Sequence, residues 1–426
     1  MLQGRTLWKL MEQRVDATPD ALMMVDEDMR TLTFAEFWGE AERAAAGLCA
    51  AGVGAGQVVS WQLPTWIESL VLAAALNRLG VVQNPISPSC RESELAHITS
   101  QANSDLLVVP SVWEGFDYEQ MATEVAQTGG LIRLLIADRA LPQGDSATLE
   151  PLPQFFDDEP PPPAWIFYSA GRTGQSKGVR HSDATLIAAA RSMAQRFGLI
   201  GRDRNALVGE VTQVNGILWL FASLQSGCSN ILIDAFHPEG SIEVLSRESV
   251  TLAGSSTQYH QAYVAAQRSV LHPIFGDVRA FIGCGSPNAA ELVEEVRALF
   301  DVPVLGGYGL TEAPMLTIAD LCDSPSELAA TDAKPAAGVE IRLVRADNSI
   351  VVDDSEGEFR VRAPQLMVGY LDEARTAEAF DDDGFFRTGD LGCMDERGNL
   401  RITGRVPEIT LRPTKPISES PSSPPV

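Results

Sequence analysis

Positive charge is what this sequence has least of. Its 32 lysines and arginines stand against 57 aspartates and glutamates, a formal net charge of −25. That balance excludes non-specific binding to nucleic acid or to an anionic membrane surface. Any phosphate-bearing ligand must therefore be met by a local concentration of cations and backbone N–H groups. Cysteine is sparse too. Six are scattered at Cys49, Cys90, Cys228, Cys284, Cys322 and Cys393, with no CxxC pair and no histidine at metal-ligand spacing. This excludes a disulfide framework and predicts reduced, mostly buried thiols in a cytoplasmic protein. No apolar run is long enough to span a membrane, and Met1-Leu2-Gln3-Gly4-Arg5 lacks the apolar core of a secretory signal. No internal repeat stands out.

What is present is ordinary for a globular chain: 45% hydrophobic and 21% charged residues over 426 positions, room for roughly two or three domains. Strands and helices alternate from the start. A surface helix is expected over Thr6–Asp20, a strand at Leu32–Phe34 and an Ala-rich helix from Phe34 to Ala51. Strands Val58–Leu63, Val81–Ile86 and Leu106–Val109 follow, interleaved with helices Trp66–Leu79 and Glu92–Ala102. A second series begins near Leu131–Ile136 and passes an acidic, Pro-rich connector ending at Pro163. It continues as strand Trp165–Tyr168, helix Leu186–Arg196, strand Ala206–Val208, helix Gly216–Gln225 and strand Asn230–Ile233, then Val278–Ile282, Ala289–Phe300 and Val302–Leu305. Such alternation means βαβ units and parallel sheet covered on both faces, an α/β fold. Short strands at Val339–Arg345, Gly357–Arg362 and Asn399–Ile402 add a smaller β-rich lobe. Pro407 to Val426 is Pro- and Ser-rich and is expected to be disordered.

Four stretches carry chemistry. In the first, the apolar residues Trp165 to Tyr168 open into Ser169-Ala170-Gly171-Arg172-Thr173-Gly174-Gln175-Ser176-Lys177-Gly178. A strand emptying into a Gly-rich loop aims several N–H groups at an anion. Glycines supply left-handed dihedrals and close approach, hydroxyls donate, and Lys177 adds a mobile positive charge. The bland alternative is a solvated turn, and the Lys177-Gly178 pair departs from the common P-loop, which weakens a P-loop nucleotidase or kinase reading. The second is Gly306-Gly307-Tyr308-Gly309-Leu310-Thr311-Glu312: either a tight turn with a packed tyrosine, or a ring face for a base with a hydroxyl and a carboxylate beside it. The third, Gly283-Cys284-Gly285-Ser286-Pro287, is either a plain strand-to-helix turn or a third loop at the ligand-binding end of the sheet. In the fourth, Thr388-Gly389-Asp390 and Gly404-Arg405 offer a carboxylate for ribose hydroxyls and a guanidinium for ribose or phosphate; alternatively Asp390 is a turn residue and Arg405 a surface charge.

Taken in order, these motifs resemble those of the adenylate-forming superfamily, in particular its AMP-dependent acyl-CoA synthetase branch, over nearly the whole chain to about Arg405. Gln62-Leu63-Pro64-Thr65-Trp66 and Asn84-Pro85-Ile86 add to the likeness. The resemblance implies a large N-terminal AMP-binding domain over 1–403 with sub-lobes of about 1–155, 156–335 and 336–403. It implies ligation of a carboxylic acid to a thiol through an acyl-adenylate, with ATP, Mg²⁺ and coenzyme A. By motif, Ser169, Ala170, Gly171, Arg172, Thr173, Gly174 and Lys177 would hold the β- and γ-phosphates. Gly285, Ser286, Pro287 and Tyr308 would enclose adenine, with Gly309 and Leu310 part of the same nucleotide loop. Thr311 would meet the α-phosphate, Glu312 would bind Mg²⁺, and Asp390 and Arg405 would take the ribose. The acyl pocket would lie between Gln213, Asn215 and Gly216 on one side and Gly283 and Gly306 on the other.

This sequence departs from the family pattern in places. Ala170 replaces a hydroxyl residue, Arg172 adds a guanidinium, and Gln213 stands where many members have a titratable histidine. Members also continue from the Gly404-Arg405 hinge into a mobile C-terminal domain bearing a lysine used in adenylation. Here Glu408-Ile409-Thr410-Leu411-Arg412 echoes the hinge before the Pro/Ser tail, and Lys415 in that tail is not assigned the role. The expectation is a ligase reduced to its N-terminal domain, with 404–426 a hinge remnant and tail and with thioester transfer in doubt. The alternative is a non-catalytic ATP- or acyl-adenylate-binding module, or a decayed ligase needing a C-terminal domain or carrier in trans. The small, polar stretch Gly254-Ser255-Ser256-Thr257-Gln258 lacks an acid to pair with an ammonium, which favours a medium-chain, alicyclic or aromatic acid over an amino acid.

Overall fold

The computed structural model describes residues 1–128, 132–152, 162–169, 176–284, 290–351 and 355–406. Three sheets organise them. A nine-stranded sheet runs in the order Lys334–Pro335, Ala313–Ile318, Val304–Leu310, Ala280–Cys284, Leu252–Ser255, Arg204–Leu207, Ser229–Leu232, Leu22–Val25, Thr31–Thr33. A seven-stranded sheet runs Gly369–Tyr370, Lys177–His181, Trp165–Ser169, Val82–Pro85, Val58–Trp61, Leu106–Val109, Arg133–Ile136. The nine-stranded sheet is parallel in the middle and antiparallel at both edges, whereas the seven-stranded sheet is antiparallel only at its Gly369–Tyr370 end and stays parallel to its Arg133–Ile136 edge. A third, antiparallel sheet joins Glu340–Val344, Gly357–Arg362, Phe386–Met394 and Leu400–Arg405. This is the expected α/β architecture with a smaller β-rich lobe.

The largest core lies between the two big sheets. It is filled by helices Phe34–Ala50, Ile67–Arg78, Asp183–Arg196 and Val214–Ser226 and bounded by Trp61, Trp165 and Phe167 on one sheet and Leu207, Ile282 and Leu305 on the other. Outside the nine-stranded sheet pack Pro238–Arg247, Thr257–Ser269 and Ala290–Phe300. Outside the other pack Glu92–Gln101 and Tyr118–Thr128. Local rules decide each helix. Phe34–Ala50 starts at a capping box in which Thr33 Oγ1 accepts from Glu36 N–H and Glu36 accepts from Thr33 N–H. It buries Phe34, Phe37, Ala41, Ala44 and Leu48, a spacing of three or four that makes one apolar stripe. Val214–Ser226 lies between layers and is buried almost all round. Among the described residues, no helix is long and apolar enough to cross a membrane.

Three expectations change. The sheets do not divide near residue 155: Leu22–Val25 and Thr31–Thr33 belong to the nine-stranded sheet, whereas Trp165–Ser169 and Lys177–His181 belong to the other. Sequential alternation fixes the period of each element but not the neighbour with which it pairs. Nor is the first helix, Leu7–Ala17, a surface element. It buries Leu7, Trp8, Leu10 and Met11, and Arg14 donates to the carbonyls of Leu224 and Gln225 at the end of helix Val214–Ser226. The described thiols, finally, are not mostly buried. Cys228 is buried, Cys90 and Cys393 are half-buried, and Cys49 and Cys322 are exposed. Cys49 falls off the apolar stripe of its helix, and Cys322 sits in the turn closed by Asp320 and Asp323.

Asp183 ties the N-terminal helix to this frame. Its buried carboxylate accepts from Leu7 N–H (2.8 Å), Asn77 Nδ2 (2.9 Å) and Trp165 Nε1 (2.7 Å). Burial pushes its pKa up, against those three bonds. Asp183→Ala would orphan three donors around a cavity. Urea unfolding should show a loss of about 3–5 kcal/mol, and a loss within measurement error would refute the anchoring role.

Candidate active site

Lys177 is carried by a hairpin, not by a strand–loop–helix turn. Trp165–Ser169 pairs antiparallel with Lys177–His181, in register from Ser169 opposite Lys177 to Trp165 opposite His181. Helix Asp183–Arg196 begins only afterwards, capped by Ser182. Val179 and His181 face inward from the return strand, so pairing is favoured over an immediate helix. Ser169 and Lys177 therefore stand side by side at the base of the Gly-rich loop. Ala170, Gly171, Arg172, Thr173 and Gly174 lie outside the described residues. Gly178 packs closely without a positive φ: an added Cβ would sit 2.4 Å from Leu371 Cδ1, and that side chain would have to move.

The second motif is likewise a strand rather than a tight turn. Val304–Leu310 runs through Gly306, Gly307, Tyr308 and Gly309 and reverses at Thr311-Glu312 into Ala313–Ile318. The Thr311 carbonyl accepts from His181 Nε2 at 2.8 Å. A carbonyl can only accept, so the proton of the neutral ring lies on Nε2, with Nδ1 2.9 Å from Thr185 Oγ1. Burial pushes His181 down to about 4. Its ordinary value is about 6.5, so between these limits an unfolded chain takes up a proton that the folded chain refuses. Stability contributed by the neutral ring is complete above pH 6.5 and is lost as pH falls toward 4. Urea unfolding at pH 7.5 and 4.5 should show an acid-dependent loss about 2–3 kcal/mol larger in the wild type than in His181→Gln. Equal losses would remove His181 as the cause.

Tyr308 meets the fourth motif. Its hydroxyl donates to Asp390 Oδ2 at 2.6 Å, and Arg405 Nε is paired with Asp390 Oδ1. Asp390 and Arg405 are cross-strand partners. Gly389 holds φ at 71°, a left-handed turn that aims Asp390 inward to 2% exposure, and Thr388 Oγ1 accepts from Asp390 N–H. Burial first, and then the Asp390 charge, drive the Tyr308 phenol far above its ordinary pKa, so it remains a donor.

Strand pairing puts Gly283 opposite both Ser255 and Gly306. Gly283, Gly306, Gly307, Tyr308, Gly309, Leu310, Asp390 and Arg405 line one cavity of about 740 Å³, together with Leu328 and Thr331. That volume lies inside the range of about 300–1,000 Å³ common for small-molecule sites. Gly285, Ser286 and Pro287 lie outside the described residues.

Not every expected site residue is among those that line this cavity. Lys177, Thr311 and Glu312 are not in its lining. Glu312 and Lys177 meet instead through Tyr370, whose hydroxyl donates to Glu312 Oε1 at 2.7 Å and whose ring centroid lies 5.9 Å from Lys177 Nζ. Sequence reasoning passed over Tyr370, although Gly369-Tyr370 repeats the Gly-Tyr pair at Gly307-Tyr308. Gln213 is exposed, donates to Glu210 Oε2 and precedes helix Val214–Ser226. Gly216 is packed so closely on Glu210 that no Cβ fits. Gln213, Asn215 and Gly216 are not among the residues that line the cavity entered by Gly283 and Gly306.

For a cation the donor set is simple. Among the described residues no three ligating side chains cluster, and Glu312 offers a 9%-exposed carboxylate with Oε1 engaged by Tyr370. Magnesium at nucleotide sites takes one or two carboxylates and completes its shell with phosphate oxygens and water, and a lone glutamate fits that pattern.

Comparison with known proteins identifies the family and the fold. The chain is 29% identical over 437 residues to the salicyl-AMP ligase / salicyl-S-ArCP synthetase of Mycobacterium tuberculosis, covering 98% of this chain and 76% of that protein. It is 27% identical over 422 residues to the medium-chain fatty-acid–CoA ligase of Escherichia coli, covering 96% and 73%. Its fold superposes on the inhibitor-bound N-terminal domain of FACL13 from M. tuberculosis with a TM-score of 0.82 at 24% identity, covering 94% of this chain and all of that one. ATP-bound MatB from Rhodopseudomonas palustris gives 0.82 at 24%, covering 93% and 78%. The model of the AMP-binding enzymes matches residues 11–371, from the first helix through both large sheets to the Tyr370 strand, and the chain belongs to that family.

Proposed function

We propose that this chain is an AMP-forming carboxylate ligase that activates a carboxylic acid with ATP to an acyl-adenylate and pyrophosphate. The observation that carries the reading is the single cavity holding Tyr308, Asp390 and Arg405 beside Gly283 and Gly306. The tyrosine ring offers a face to adenine, and Asp390 accepts from ribose hydroxyls once Arg405, 48% exposed, gives way. Ser169 and Lys177 take the β- and γ-phosphates from the base of their hairpin, and Thr311 turns toward the α-phosphate. A carboxylate oxygen of the acid attacks the α-phosphorus, the bond to the β-phosphate oxygen breaks, and pyrophosphate leaves with that electron pair. Two anions must be brought together for this, so positioning and charge neutralisation dominate. A Mg²⁺ held at Glu312 would supply further charge neutralisation on the phosphate oxygens.

The acid is proposed to be medium-chain, alicyclic or aromatic, in keeping with relatives named for medium-chain fatty acids, salicylate and a bicyclic indenyl propanoate. ATP–pyrophosphate exchange across octanoate, cyclohexanecarboxylate, benzoate, salicylate and amino acids tests this, and coenzyme A added afterwards reports the thiol half-reaction. Exchange with one of the first four acids, well above a Lys177→Ala/Glu312→Ala double variant, is expected. Exchange no higher than that variant's for every acid would end the catalytic reading. Ala170 and Arg172 favour a second reading, an acyl-adenylate-binding module without turnover. It would bind a non-hydrolysable acyl-AMP analogue tightly while exchange stayed at the double variant's level.

A further inference from the structure

Segment 367–371 fastens two motifs that the chain keeps far apart in sequence. At one end, Met367 N–H donates to the Glu312 carbonyl at 2.8 Å; at the other, Leu371 N–H donates to the Gly178 carbonyl at 2.9 Å. Between them Val368 N–H donates to the Arg180 carbonyl, and Tyr370 pairs with Val179. Val179 and Lys177 are two residues apart on one strand and so project from the same face, the face on which Tyr370 lies. The tyrosine is 7% exposed, its N–H donates to Thr376 Oγ1 at 2.9 Å, and its hydroxyl ends on Glu312 Oε1.

We propose that Tyr370 is a positioning residue of the ligase site, fixing the Glu312 carboxylate for a divalent cation and the Lys177 ammonium for phosphate at one set spacing. This rests on the ligase reading above. Donation to Oε1 locks the carboxylate rotamer and leaves Oε2 as the cation-facing atom. The ring face, meanwhile, gives the ammonium a resting place that a carboxylate would bind too firmly to release. A glutamate free to rotate would have to be ordered anew at each binding event, and the cost would appear in the cation-dependent part of nucleotide affinity.

Tyr370→Phe removes the donor and keeps the ring. Calorimetric titration with ATP, with and without MgCl₂, is the decisive measurement. The wild type should bind ATP more tightly with magnesium. In Tyr370→Phe that gain should shrink by about fivefold to tenfold while magnesium-free affinity stays within twofold. In exchange assays the magnesium concentration for half-maximal rate should rise by a similar factor. Thr376→Val, which loosens the Tyr370 backbone without touching Glu312, should move the same gain in the same direction by a smaller factor. Introduced into Glu312→Ala, Tyr370→Phe should add no further change. An unaltered magnesium gain in folded Tyr370→Phe, with the wild-type gain intact, overturns the role of Tyr370 and leaves the ligase reading standing. A wild type that binds no ATP at all overturns both.

Discussion

Replacing Glu312 with alanine is expected to lower ATP–pyrophosphate exchange roughly 10²- to 10³-fold without unfolding the protein. The two parts of this residue do different work. Its backbone carbonyl accepts from Met367 and survives the substitution, whereas its side chain accepts from the Tyr370 hydroxyl and, among the described residues, from no other donor. Circular dichroism and the urea midpoint should therefore change little. Glu312→Gln sharpens the test, because an amide oxygen still accepts from Tyr370 but carries no charge. It should lose nearly as much exchange as the alanine variant. A glutamine variant with wild-type exchange would show that the negative charge is not needed, and the assignment of Glu312 to a cation would fall.

Asp390→Ala is expected to weaken ATP and AMP binding by roughly 50-fold, read by calorimetry. Two charge-assisted hydrogen bonds to the ribose would be lost, worth about 1.5 kcal/mol each at the low end of their range, or about 10²-fold together. The estimate is trimmed because the carboxylate is not idle in the free protein: Tyr308 donates to Oδ2, and the Arg405 charge lies against Oδ1 as an ion pair without a hydrogen bond. Ribose must displace one of them, and half-exposed Arg405 is the weaker holder. Arg405→Ala should then change affinity by less than about fivefold, the loss of a donor to ligand being partly offset by release of the Asp390 oxygen. An Asp390→Ala protein that bound AMP as well as the wild type would remove the ribose assignment.

The sequence disclosed the local periods and the glycine-rich segments but not the pairings that give them meaning. Leu106–Val109 was delimited to the residue, and most other strands and helices to within a few, because apolar runs ended by Gly, Asn or Pro leave little freedom. The return strand Lys177–His181 was hidden. Five residues that begin with Lys-Gly carry no alternating signature, and only pairing with Trp165–Ser169 makes them a strand. The same shortness hid Gly369–Tyr370, and with it the tyrosine that joins Lys177 to Glu312. The glycine-bearing stretches around Tyr308, Asp390 and Arg405 stand out in the sequence, but only the structure brings the three side chains to one cavity. For Gln213 the sequence marks a helix start but not the direction of the side chain. A helix start next to a strand end looks adjacent in sequence, yet the amide turns outward to Glu210.

The exchange of strands between the two large sheets has a consequence for anyone dividing this protein. The N-terminal hairpin Leu22–Thr33 completes one sheet from the far side of the chain, and the Trp165 hairpin completes the other. A polypeptide split between Leu152 and Pro162 would leave each fragment with an unfinished sheet and a bare apolar edge. The two pieces are thus suited to reassembly as a complementing pair, and ill suited to life as separate half-proteins.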